Sequence, residues 1–255
     1  VVDDGSWRII LHDLGLAWEQ IAAGQEPRLP AVGTSLRRWA HGVLEVAPEH
    51  RSELSWWERA LDGPDPEMGM RPFDPAVDTT STVQRLEVSV PAADTDALLT
   101  SVPALFNGAV TDGLMTALGL ALVRWRRDRG VESSSALVRL EADGRADTAV
   151  AGADLQRTVG CFTAAYPVRV ELAGVDIDEA FAGGPAMGAA MKTVKEQLRA
   201  VPAGGTGFGV LRHLDPEARD RLASVERSPQ VRFSYLDRRS RPDAGQGATE
   251  SVWTP

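Results

Sequence analysis

Apolar positions recur at two different periods along this chain, and the places where the period switches mark its elements. Trp7, Ile10, Leu14, Ala17 and Ile21 return every three or four residues after Asp4 and Ser6, either of which can cap a helix, and Gly24 stops the run. That spacing predicts an amphipathic helix with one buried face. The stretch from Gln25 to Thr34 has the Pro and Gly density of a connector, and two short helices are expected over Ser35 to Val46 and Ser52 to Leu61. Gly63 to Thr82 carries several prolines and few periodic apolar residues, and reads as a long loop.

Beyond it Leu86, Val88 and Val90 alternate with polar neighbours, the period of a half-buried strand, until Pro91 ends the pattern. A helix over roughly Ala92 to Ser101 follows. Val110 to Arg127 then carries Leu114, Leu118, Leu120, Ala121 and Trp125 on overlapping faces, closes in arginines and meets Gly130, which predicts a largely buried helix with a glycine stop. Strands are expected at Ala136 to Glu141 and Tyr166 to Leu172, and a helix at Gly184 to Ala200. Asp215 and Pro216 form the cap and first-turn proline of another helix reaching Val225. Val231, Phe233 and Tyr235 alternate as a last strand, and the polar Gly- and Arg-rich tail from Arg238 to Thr249 reads as a mobile loop. Strands and helices interleave without a fixed repeat, so the fold class is α/β or α+β, a sheet covered by helices.

Composition narrows the partners. With 27 Lys and Arg against 36 Asp and Glu, the net charge of −9 argues against a phosphate backbone or an anionic membrane surface as partner. No run of about eighteen apolar residues exists to span a bilayer. A single cysteine, Cys161, cannot form an internal disulfide, so a reducing, cytoplasmic setting is the default expectation. The first residues carry no secretion signal and no initiator methionine, which points to a start inside a longer polypeptide. His12, His41, His50 and His213 lack metal-ligand spacing and are expected to be structural or surface residues; no metal or cofactor is implied.

Several segments, in order, resemble epimerisation domains of non-ribosomal peptide synthetases. Val1 to Leu14 is similar to the end of the HHxxxDG motif and its following helix, DGVSWRILLEDL, and Asn107 to Leu120 is similar to the family helix NxxxxDxLLTALGLAL. Glu141 to Arg145 stands where the family has EGHGR, and Arg157 to Thr163 where it has RTVGWFT. Val201 to Arg212 resembles VPxxGxGYGxLR, and Phe233 to Leu236 resembles FNYLG. The resemblance implies a two-lobed, chloramphenicol-acetyltransferase-like fold with a cleft for a carrier-bound peptide. Residues 1–24 would end the N-terminal lobe, 25–82 would be connector helices and loop, and 83–255 the C-terminal lobe.

The departures matter most for chemistry. By the resemblance, Asp3 takes the structural Asp place, held by an arginine, and Asp4 replaces the Gly that leaves the tunnel open. A carboxylate there needs a neutralising cation or carries a desolvation cost. HRxxxDD in place of HHxxxDG marks the X domain of glycopeptide-antibiotic synthetases, which resembles epimerisation domains without their activity. Here the Asp-Asp half is visible and the Arg half is inferred, the first histidine of the motif lying upstream. Glu141 corresponds to the family's proton-exchanging glutamate, whereas Asp143 replaces the His of EGHGR and Cys161 the Trp of RTVGWFT. A carboxylate lacking its partner base cannot serve both faces of a proton exchange, so a closed, inactive cleft is expected, with Asp3, Asp4, Glu141, Asp143 and Arg145 as a relic motif. The implied role is docking: recruiting cytochrome P-450 monooxygenases to a peptide on the adjacent peptidyl carrier domain, the haem belonging to the partner. The alternative is an active epimerase using Glu141 and the upstream histidine; a peptide-bond-forming condensation enzyme fits the RTVG and VP segments less well.

Plainer readings stand beside these. Asp3 and Asp4 favour a helix macrodipole wherever they occur, and Glu141 with Arg145 could form a surface ion pair. Cys161 reads as a small buried hydrophobe, and Trp56 and Trp57 as core. Gly204, Gly205, Gly207 and Gly209 lack the Lys-Ser/Thr of a phosphate cradle and read as a loop, and Arg124, Arg126, Arg127 and Arg129 as a solvated helix end.

Overall fold

The computed structural model describes residues 2–145, 150–225 and 228–236. Helix α1 (Asp4–Ala22) starts at Asp3, whose carboxylate accepts from the Ser6 N–H at 2.7 Å. Helix α2 (Leu36–Val46) is capped by Ser35, whose hydroxyl accepts from Arg38 N. A 3₁₀ stretch, Ala47–Glu53, leads into α3 (Leu54–Leu61). Helices α4 (Ala92–Asp96) and α5 (Val102–Phe106) are joined by a wide turn over Ala97–Ser101, and α6 (Val110–Arg127) follows.

Among the described residues the sheet has the strand order β2-β1-β3. Strand β1 (Ser135–Asp143) is central; β2 (Thr163–Glu171) runs antiparallel to it and β3 (Val231–Ser234) parallel. Between β2 and β3 lie α7 (Ile177–Phe181), α8 (Pro185–Arg199), α9 (Thr206–Leu214) and α10 (Pro216–Val225). Helix α6 lies close on the sheet because Gly119 offers no side chain: a Cβ there would come within 2.7 Å of Val170 Cγ1. Trp57, fully buried, packs edge-on against Tyr166 and tilted against Phe208, so α3, β2 and α9 share one aromatic core. Trp56 packs edge-on against Trp57, as a core reading of both requires. Asp215 caps α10 by accepting from the N–H groups of Glu217 and Ala218, with Pro216 at the first position, as the sequence predicts.

Four expectations need correcting. Helix α1 fully buries only Ser6; Ile10 and Ala17 are half-buried and Trp7, Leu14, Trp18 and Ile21 are exposed, because the helix joins the body through its first turn and an Asp13–Arg157 ion pair, and the described residues leave most of its apolar face uncovered. Residues 83–90 have no ladder partner among the described residues, and Leu86 and Val88 stand in the open. Of the glycine-rich stretch, Gly204 and Gly205 form the expected turn, at φ +59° and +85°, but Gly207 and Gly209 lie in a helix, α9. Arg126 is not solvated: it is buried against Asp65 at 2.6 Å and donates to the Ser135 and Pro66 carbonyls. Its neighbours do stay at the surface, with Arg127 pairing Asp178 and Arg129 lying 3.8 Å over Trp125. The tail from Arg238 to Thr249 lies outside the described residues.

Candidate functional site

The segments singled out by the sequence converge on one corner of the fold. Asp3 precedes α1, Glu141, Asp143 and Arg145 stand at the end of β1, and residues 158–162 run into β2 beside them. Arg145 Nη2 donates to Asp3 Oδ1 at 2.8 Å and to Ser6 Oγ at 2.9 Å, while Nη1 donates to the carbonyls of Leu155 and Thr158. The second Asp3 oxygen accepts from Phe162 N–H at 3.0 Å, and Ser6 Oγ both accepts from Gly160 N–H and donates to its carbonyl. The guanidinium also covers the Phe162 ring at 4.3 Å. Burial by itself pushes the Asp3 carboxyl up; the bonds from Arg145, Phe162 and Ser6 outweigh it and hold it below its ordinary 3.8. The arginine clasp expected for Asp3 is therefore present, and Arg145 is its cation. The surface pair between Glu141 and Arg145 is not formed: Glu141 is 3.5 Å from Arg232.

Beside the clasp opens a cavity of about 580 Å³. One wall is α2, with Trp39, Val43 and Leu44; another is α9, with Val210, His213 and Leu214. The floor is the sheet end, with Arg139, Thr163 and Ala165, and Cys161 and Phe162 complete the lining next to the motif. Direct cross-strand partners point to the same face of a sheet, so Glu141, opposite Ala165, faces the side on which the cavity lies. Asp4, the residue meant to close the passage, is exposed, and Cys161 is exposed on the cavity wall where the family's Trp would fill space, instead of buried. Asp143 Oδ1 accepts from Arg145 N–H, so it shapes the turn after β1 and leaves the guanidinium to Asp3.

Of the histidines, His12 and His41 are exposed, and His50 is buried with its Nδ1 2.7 Å from Glu53 Oε1. His213 lines the cavity, which the sequence did not signal. Arg139 was missed too, although it interrupts the otherwise apolar run Ala136 to Leu140 and so marked the face turned away from the core.

Residues 1–251 match the condensation domain family. The chain belongs to the condensation-domain family. A linear gramicidin synthase from Brevibacillus parabrevis is 38% identical over 240 residues, which is 92% of this chain and 3% of that protein. Tyrocidine synthase 1 from the same organism is 30% identical over 92% of this chain and 20% of its own length. Among solved structures, the epimerization domain from the third module of tyrocidine synthetase B superposes with a TM-score of 0.71 at 28% identity, covering 84% of this chain and 46% of that one. The X-domain from teicoplanin biosynthesis superposes at 0.55 with 19% identity, covering 91% and 48%, a likeness of fold alone. This condensation-family chain therefore spans about half of the solved domains it resembles. The mixed fold with a small helix-covered sheet agrees with these neighbours. Among the described residues no single helix is long and apolar enough to cross a membrane.

Proposed function

We propose that this chain is the C-terminal part of an epimerisation-type domain of a peptide synthetase, which receives a carrier-bound peptidyl thioester in its cleft and inverts the α-carbon. The observation that carries the reading is Glu141 on the cavity face of β1, next to an intact Asp3–Arg145 clasp and an open space. In this reaction Glu141 takes the α-proton, the C–H electron pair delocalises into the thioester carbonyl, and a proton returned from the opposite face inverts the centre. The second acid-base group is the histidine that the family motif places ahead of Val1. The similarity to a solved epimerization domain supports the same reading.

A second reading rests on Asp4. A carboxylate in place of the motif glycine favours a non-catalytic, X-type domain that docks oxygenases, the cytochrome P-450 monooxygenases that the resemblance implies. A complex of the X-domain with OxyB from teicoplanin biosynthesis shares this fold. The two readings separate in one experiment: a peptidyl carrier loaded with an L-configured peptide is incubated in D2O with the domain. Deuterium at the α-carbon, lost in Glu141→Gln, supports epimerisation. No incorporation by the wild type, together with retention of a glycopeptide-pathway oxygenase in gel filtration, refutes it in favour of docking.

A further inference from the structure

The floor of the cavity holds a charge arrangement that proton exchange does not use. In the register of the parallel pair, Arg139 lies directly beside Arg232. Like charges placed opposite each other on one sheet face repel, so such a pair needs anions nearby. Arg232 has one, since Glu141 lies 3.5 Å away. Arg139 has none: it makes no hydrogen bond or ion pair among the described residues, and its other cross-strand neighbour is Pro167. The remaining charges at this end, among the described residues, are occupied or distant. Arg145 and Asp3 neutralise each other in the clasp. Asp143 is four residues further along β1, roughly 13 Å away at the rise of an extended strand. His213 lines the opposite wall.

Among the described residues Arg139 is therefore an exposed cation without a counter-ion, on the floor of a cavity walled by Trp39, Val43, Leu44, Val210 and Leu214, in a chain whose net charge is −9. Apolar walls lower the local dielectric and strengthen any charge pairing made between them. The guanidinium fork matches a carboxylate in two-point contact. We propose that Arg139, with Arg232 beside it, selects a carrier-bound chain bearing an acidic side chain, whose carboxylate it holds while the peptide backbone lies near Glu141. This rests on the reading that the cleft receives the carrier-bound chain. Arg139 is on this account a specificity residue and takes no part in proton transfer.

The test uses the full chain and two dipeptidyl pantetheine amides without phosphate, one ending in glutamate and one in glutamine, titrated by calorimetry. The glutamate ligand binds about tenfold more tightly than the glutamine one, as charge-assisted pairing of this kind predicts. Arg139→Gln removes the difference while leaving the glutamine ligand unchanged, and Arg139→Lys keeps part of it. Equal binding of both ligands to the wild type, or a preference that survives Arg139→Gln, overturns the selection and leaves the cleft reading standing. Failure of both ligands to bind removes the cleft reading and this inference together. Weaker binding of phosphopantetheine to Arg139→Gln, with no acid preference in the wild type, reassigns the arginine to the carrier's phosphate and also overturns the proposal.

Discussion

Replacing Arg145 by Met removes the cation of the clasp while keeping a side chain of similar length over Phe162. Four acceptors each lose one donor: Asp3 Oδ1, which keeps the Ser6 N–H, Ser6 Oγ, which keeps the Gly160 N–H, and the carbonyls of Leu155 and Thr158. The side chains of Arg145 and Asp3 are only 10% and 9% exposed, so water cannot fully replace the lost partner. Breaking a buried pair from one side costs about 3–5 kcal/mol, because the remaining charge stays buried and alone. With a urea slope of about 3 kcal/mol per molar for a domain of this size, the midpoint of unfolding falls by about 1 M or more. D3N keeps shape and one acceptor but loses the charge, and should cost about 2 kcal/mol. In the double variant the two losses overlap, giving a coupling energy of about 2 kcal/mol. Urea titration followed by tryptophan fluorescence measures all three. An Arg145→Met midpoint within 0.3 M of wild type (about 1 kcal/mol), or strictly additive losses, would refute the clasp as a source of stability. The pH dependence has a definite sign. Because the Asp3 carboxyl is held below 3.8 in the folded state, its contribution is complete above that value. It is lost as the pH falls from there through the folded-state value, and D3N removes this acid sensitivity.

Other consequences are local. Gly205→Ala places a Cβ inside the Tyr166 ring at a backbone angle of +85°, and should cost at least about 3 kcal/mol in thermal or urea unfolding. Arg126→Met strands Asp65 in the interior and should cost about 3–5 kcal/mol, whereas Arg129→Met at the exposed end of the same row should stay within about 0.5 kcal/mol. Cys161 should react with a thiol reagent in the native protein, one equivalent without denaturant; a thiol that reacts only on unfolding would contradict its exposure.

What could be read from the sequence was whatever depends on near neighbours. Helix α6, with its arginine-rich end, and α10, with Asp215 and Pro216, are set by local periodicity and capping, and both stand where the pattern put them. The clasp of Asp3 was foreseen through family resemblance, and the arginine that forms it lies 142 positions away. Helix α9 was hidden because its glycines answer to distant groups: Gly205 to the Tyr166 ring and Gly207 to Glu53 and His50, whose atoms leave no room for a Cβ. Local propensity sees only glycine in a helix and votes for a loop. The apolar stripe of α1 and the alternation of residues 83–90 show the converse failure, since periodicity reports that a face is suited to burial and is silent on what buries it. The cavity was illegible for the same reason: α2, the sheet end and α9 meet only in three dimensions.

The first thirty-odd residues are held to the body like a strap buckled at both ends. Asp3 fastens one end to residues 145, 160 and 162, and Thr34 fastens the other by exchanging bonds with Asp154 and accepting from Thr158. Closing a loop of about thirty residues costs about 3 kcal/mol of chain entropy, comparable to what one buckle returns. Undoing one end together with the Asp13–Arg157 ion pair should therefore free α1 as a unit while the sheet stays folded. Backbone amides of α1 should then exchange with solvent together and well ahead of those in α6, and Arg145→Met should quicken the first group more than the second.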